Sequence, residues 1–161
     1  MEKARAAGLL HDAGKDLTLE QQAYLIREGG IKVRYPEELD YVLYLHGPVG
    51  AYFVRKELGV SDALILDAIA MHTYYGEGIH WDDPLVWCLR FADILEPNRN
   101  WSTVSWLRQG APLLREWAYS GRMAEAASFQ TGVIIEWFDS VGYPVHPHMR
   151  RAHIEFSLSG G

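Results

Sequence analysis

The sequence predicts an all-α helical bundle, and three observations carry that reading. Apolar residues recur at three- and four-residue steps, helix-start and helix-stop residues recur along the chain, and no window alternates convincingly at period two. With 161 residues, 48% of them apolar, the chain can bury a core without disulfides or a structural metal. One domain with short connections is expected, and no internal repeat or linker interrupts it.

The elements follow in order. After "LLHDAGKD", the "TLEQ" at Thr18 to Gln21 has capping-box spacing, and Gly29-Gly30 would stop the helix it opens. Pro36 with Glu37 and Glu38 reads as a first turn whose acids suit the helix dipole. Pro48 is expected to open a helix that ends before Gly59. Ser61 and Asp62 start another, in which Ile65, Ile69 and His72 share a face. Asp83-Pro84 is a strong N-cap and N1 pair, after which Leu85, Leu89 and Asp93 fall on one stripe. Two closing helices are expected from Ala111 to Tyr119 and from Met123 to Ser140, followed by a Pro-interrupted tail with a frayed end.

Composition excludes several functions. The single cysteine, Cys88, rules out an internal disulfide framework, and it reads as a buried, inert thiol. No secretory leader is recognisable at the start, so a cytoplasmic location is expected. No apolar run approaches the ~20 residues that span a bilayer. A net charge of −6, with dispersed Lys and Arg, argues against a nucleic-acid surface. Any anionic ligand must be small and held locally.

Polar residues on apolar faces carry the chemistry. His11-Asp12, His46, His72 and Asp93 each sit beside a helix end or on an apolar stripe, where an unpaired polar group costs roughly 1–3 kcal/mol. Taken singly, each has a plain explanation as a backbone-bonded histidine or a capping aspartate. Together, three imidazoles and two carboxylates are a normal donor set for iron, zinc or manganese. Adjacent helical residues point about 100° apart, so His11 and Asp12 cannot chelate through one narrow face. They suit a cluster instead, with the imidazole on one ion and the carboxylate bridging to a second.

The order H-D, H, H, D resembles the HD superfamily of metal-dependent phosphohydrolases. "LLHDAGKDLT", "LHGPVGAYFVRKELGVSDALILDAIAMHT", "RFADILEPNR" and the tail "GYPVHPHMRRA" are similar to one branch, the YqeK-type symmetrical bis(5'-nucleosyl)-tetraphosphatases. The likeness runs from about Ala6 to Ala152 and implies an HD-domain helical bundle. It implies symmetrical cleavage of diadenosine tetraphosphate to two ADP on a divalent transition metal centre, with a dinuclear iron site as the first expectation and manganese or zinc as others. His11, Asp12, His46, His72 and Asp93 match metal ligands, with Asp12 between the ions. Asp12 and Lys15 carry catalysis, Lys15 facing the reacting phosphate; Asn98 and Arg99 match the nucleotide end. Plainer alternatives are a solvated cation for Lys15 and a salt bridge to Glu96 for Arg99. The implied partners are a nucleotide substrate, neither nucleic acid nor membrane, and a homodimer.

One departure bears on this resemblance. The family carries a further histidine ligand on a helix before the HD helix, and no histidine precedes His11. Three accounts compete: a start internal to a longer protein, substitution by another residue such as His80, or a weakened first metal position. The first is favoured, giving a single HD domain over residues 1–161 without the family's N-terminal helix. His146 and His148 read as non-ligands in the tail, and Trp101 as the aromatic best placed to meet a base. The competing functions are another HD-type nucleotide phosphohydrolase and, from a different class, a catalytically impaired nucleotide-binding module.

Overall fold

The computed structural model describes residues 1–75, 83–99 and 105–159, and all regular structure among them is helical. His80 and Trp101 lie outside the described residues. The chain divides into two compact units, Met1–Leu89 and Arg90–Gly161. The first contains α1 (Glu2–Leu10), α2 (Leu19–Gly29), the short α3 (Glu37–Asp40), a 3-10 turn at Val42–Tyr44, α4 (His46–Leu58) and α5 (Ala63–Met71). The boundary falls within α6 (Pro84–Ile94), and the second unit continues with α7 (Ser105–Tyr119), α8 (Met123–Val141) and α9 (Pro147–Ser159).

Helix ends in the first unit follow from local side-chain chemistry. Thr18 Oγ1 accepts from the Gln21 N–H at 3.2 Å while Gln21 Oε1 accepts from the Thr18 N–H at 2.8 Å, a reciprocal capping box. Gly30, at φ +61°, closes α2. Asp62 caps α5 by accepting from Leu64 N at 3.0 Å and Ile65 N at 3.3 Å, and its other oxygen meets Lys3 Nζ at 2.8 Å. Asp83 caps α6 through Leu85 N at 2.8 Å.

The core of this unit lies between α1, α4 and α5. Ala7, Ala68, Val86 and Leu89 form one buried cluster; Ala51, Val54 and Ile69 form another, joined by Leu10, Ala13 and Leu66. Val54 and Ile69 are fully buried, and removing such a side chain from water contributes about 1.5–3 kcal/mol. Backbones approach closely where side chains are absent. A Cβ on Gly14 would stand 2.4 Å from the His46 carbonyl oxygen and 2.7 Å from Gly50 N. A Cβ on Gly47 would stand 2.7 Å from the Ala70 carbonyl oxygen.

In the second unit α8 and α9 pack along a polar seam. Ser128 and Ser157 share a hydroxyl bond of 2.9 Å, and His153 Nδ1 donates to the Ser128 carbonyl at 3.0 Å. Gly110 admits the Phe129 ring to α7, since a Cβ there would lie 2.1 Å from Phe129 Cζ.

Four sequence expectations need correction. Helix α4 begins at His46, two residues before Pro48, which sits in the first turn where its missing N–H costs nothing. Helix α7 begins at Ser105 rather than Ala111 and carries Pro112 inside it. The tail is a helix rather than an irregular, frayed end: His146 Nδ1 accepts from the His148 N–H at 3.1 Å, a cap immediately before Pro147. Cys88 is exposed. The inward face of α6 is taken by Val86, Trp87, Leu89 and Phe91, and Pro84, Cys88 and Ala92 form the opposite stripe at four-residue steps.

Gly14→Ala drives a methyl group into the α4 backbone, where no flexible side chain can yield. We expect a loss of about 1–3 kcal/mol and a Tm lower by roughly 3–10 °C in thermal unfolding, whereas Gly8→Ala, facing open space, leaves Tm unchanged or raised.

Candidate metal centre

Three histidines of the first unit sit at helix ends. Helix α1 stops at Leu10 with His11 as its C-cap, α4 begins at His46, and His72 is the C-cap of α5. Each ring is oriented by the same device, a bond from Nδ1 to the carbonyl three residues earlier. His11 Nδ1 lies 2.8 Å from Gly8 O, His46 Nδ1 2.5 Å from Leu43 O, and His72 Nδ1 2.6 Å from Ile69 O. A carbonyl can only accept, so the imidazole proton belongs on Nδ1 and each Nε2 presents a lone pair.

Those lone pairs converge on one carboxylate oxygen. Asp12 Oδ1 lies 3.2 Å from His46 Nε2, 3.6 Å from His11 Nε2 and 3.9 Å from His72 Nε2, while His46 Nε2 and His72 Nε2 are 2.9 Å apart. Donor atoms of His11, Asp12 and His72 all lie within 4.8 Å of one another. Lone pairs facing across such distances repel unless a cation stands among them. With metal–nitrogen bonds near 2.1 Å, neighbouring ligand atoms are about 3.0–3.4 Å apart, so the donor set fits a divalent ion. His46 and His72 are buried, and Asp12 is half-buried.

The rest of Asp12 is occupied by its own chain. Lys15 Nζ, one turn onward, lies 2.8 Å from Oδ2, leaving Oδ1 to the imidazoles. Burial pushes the Asp12 carboxyl up, but the His46 ring and then the His11 ring, when they carry a second proton on Nε2, together with the Lys15 ammonium on Oδ2, outweigh it and hold the group well below the usual carboxylate range. The carboxylate is therefore anionic at neutral pH.

The structure brings His11, Asp12, Lys15, His46 and His72 together within the first unit. Asp93, Asn98 and Arg99 lie in the second unit, where Arg99 closes tightly on Asp93 Oδ1 and Asn98 Nδ2 donates to Glu96 Oε1 at 2.8 Å. Arg99 thus pairs with Asp93, where the sequence offered Glu96. His146 and His148 are buried around the start of α9, with His146 engaged as a cap. The orienting carbonyls and the backbone contacts at Gly14 and Gly47 had no sequence signal of their own, because a carbonyl acceptor belongs to every residue type.

A helical domain with a His/Asp cluster of this kind defines a class of metal-binding proteins, and comparison identifies which. The family model for the HD domain matches residues 1–98, and the chain belongs to that family. Membership carries divalent-metal binding with it, and the His/Asp cluster is a set able to hold the ion. The chain is 34% identical over 113 residues to a protein of Halalkalibacterium halodurans named "Bis(5'-nucleosyl)-tetraphosphatase, symmetrical", covering 68% of this chain and 56% of that one. To a protein of the same name from Bacillus subtilis it is 35% identical over 109 residues, covering 67% and 55%. The chain spans little more than half the length of these curated relatives. A crystal structure titled as a predicted HD superfamily hydrolase involved in NAD metabolism, from Clostridium acetobutylicum, aligns with a TM-score of 0.82 at 26% identity, over 98% of this chain and 77% of that one. Among the described residues no helix is long and apolar enough to cross a membrane.

Two outcomes follow for Asp12. Asp12→Ala should abolish stoichiometric metal in elemental analysis of protein purified without chelator, while far-ultraviolet circular dichroism stays helical. The second concerns acid. A carboxyl depressed on folding contributes stability in full above its unfolded value near 3.9, and loses it as pH falls toward the folded value. Urea melts of metal-free Asp12→Asn should therefore fall below wild type at neutral pH, and the gap should begin to close only as pH falls below about 4, the unfolded value.

Proposed function

We propose that this chain is a metal-dependent hydrolase that cleaves diadenosine tetraphosphate symmetrically, giving two ADP. The observation that carries the reading is the convergence of three Nε2 lone pairs on Asp12 Oδ1, in a chain about one-third identical to symmetrical tetraphosphatases. His11, Asp12, His46 and His72 hold the ion, and the likeness assigns Asp93 as a further ligand. Imidazole and carboxylate donors suit iron, manganese and zinc; a two-iron centre, which Asp12 would help to hold, is the reading the family pattern supports. The cytoplasm, in keeping with a single cysteine, is where it acts.

When bound, the ion supplies Lewis-acid chemistry, acidifying water and offsetting phosphoryl charge. The side chains supply the rest. Asp12 stays anionic and anchors the centre, while Lys15, seated on its outer oxygen, brings an ammonium to the place where charge gathers on the reacting phosphate. Arg99 and Asn98 take the nucleotide end, the guanidinium gripping phosphate through two parallel bonds. Water adds its oxygen to one inner phosphorus, the bond from that phosphorus to the central bridging oxygen breaks, and the departing ADP takes the proton. Rupture of the central bridge, between the two inner phosphorus atoms, is what separates this outcome from release of ATP and AMP.

Chromatography of the products tests the proposal directly. Metal-loaded protein given diadenosine tetraphosphate should yield ADP alone, Asp12→Ala should yield nothing, and Lys15→Ala should turn over about 10²- to 10³-fold more slowly with its metal retained. ATP with AMP, or intact substrate beside rapid phosphate release from a mononucleotide, overturns the reading in favour of another nucleotide phosphohydrolase.

A further inference from the structure

His46 and His72 come from two different helices, yet their Nε2 atoms stand 2.9 Å apart. The Nδ1 bonds set the orientation of each ring but not the distance between helices, because each ends on a carbonyl of its own segment. Something must hold the start of α4 against the end of α5. Thr73 follows His72 directly, is buried, and its Oγ1 donates to the Tyr44 carbonyl at 2.7 Å, two residues before His46. The Ala70 carbonyl lies farther off at 3.5 Å, so the single hydroxyl proton belongs to Tyr44. Gly47 makes the approach feasible, since a Cβ there would lie 2.6 Å from Thr73 Oγ1.

We infer that Thr73 is a positioning residue of the metal centre, its buried hydroxyl setting the spacing of His46 and His72 by tying the α5 end to the segment that leads into α4. The inference rests on the reading that these histidines hold an ion. Outer groups that orient or space ligands typically carry 10- to 100-fold in metal affinity. A valine in place of Thr73 keeps the shape but leaves the Tyr44 carbonyl without its donor and puts a methyl group where the bond was.

Full-length wild type, Thr73→Ser, Thr73→Val and Thr73→Ala, each stripped with chelator, are titrated with Mn²⁺ alone by isothermal calorimetry at a temperature where all are folded. The Tm of each metal-free protein is measured in parallel. Thr73→Ser, which keeps the hydroxyl, should bind within about threefold of wild type, and Thr73→Val about 10- to 100-fold more weakly. Thr73→Ala should match Val and carries the test if Val fails to fold. Val and Ala binding as wild type does, with only Tm lowered, show a merely structural role and overturn the inference. Serine falling as far as valine overturns it too. Absence of Mn²⁺ binding by wild type overturns the metal-centre reading itself, and this inference with it.

Discussion

The hydrogen bond from each histidine Nδ1 to the carbonyl three residues back is the interaction on which the centre depends. An imidazole carries two nitrogens of opposite character in its neutral form, and which one faces a ligand is decided by what the other does. In His11, His46 and His72 the helix end supplies that decision, at 2.5–2.8 Å. These carbonyls need partners, because the last turn of a helix leaves its acceptors unsatisfied and a turn's carbonyls are no better served. The histidines thus satisfy backbone acceptors and become pre-oriented donors in the same bond. Asp12 then gains its meaning from them, since its Oδ1 is an acidic oxygen that all three lone pairs face.

Close backbone contact is what lets helix ends meet at such range. Helices with ordinary side chains at their contact pack 8–10 Å apart, and glycines at a contact let the backbones come closer. Gly14 and Gly50 bring the loop after Asp12 onto α4, and Gly47 brings α4 onto the end of α5. The "HDAGK" stretch is therefore more than a ligand pair with a cation. Its glycine lies against the His46 carbonyl, and its lysine holds the Asp12 oxygen that the imidazoles leave over.

The second unit shows the same economy with a different outcome. His146 caps α9 through its own ring nitrogen, and His153 joins α9 to Ser128 of α8. The His146 ring accepts from the backbone and the part-buried His153 meets a backbone carbonyl and the Thr131 hydroxyl. Asp93 and Arg99 form an ion pair six residues apart, so the "ADILEPNR" stretch folds back on itself and keeps a carboxylate and a guanidinium side by side.

Much of this was legible in the chain itself. Helical period, the Thr18 capping box, the Asp62 and Asp83 caps and the Gly30 and Gly59 stops are local, and local chemistry survives folding. The order of His11, Asp12, His46 and His72 marked them as candidate donors, because few reasons other than an ion gather imidazoles and carboxylates on apolar faces. Where reading failed, distant partners had decided. Cys88 turned outward because Val86, Trp87, Leu89 and Phe91 had larger apolar surfaces to bury, and the residues from Pro147 onward form a helix packed on α8, with the buried His146 as its cap. The sequence by itself determined which residues are candidate donors and where most helices of the first unit are capped or stopped, since these depend on residue type and on neighbours within a few positions. Only the tertiary structure decided that three Nε2 atoms meet one oxygen, that Lys15 takes the other, and that Thr73 ties His72 to the approach of His46, because each depends on the distance between helices, which no run of residues encodes alone.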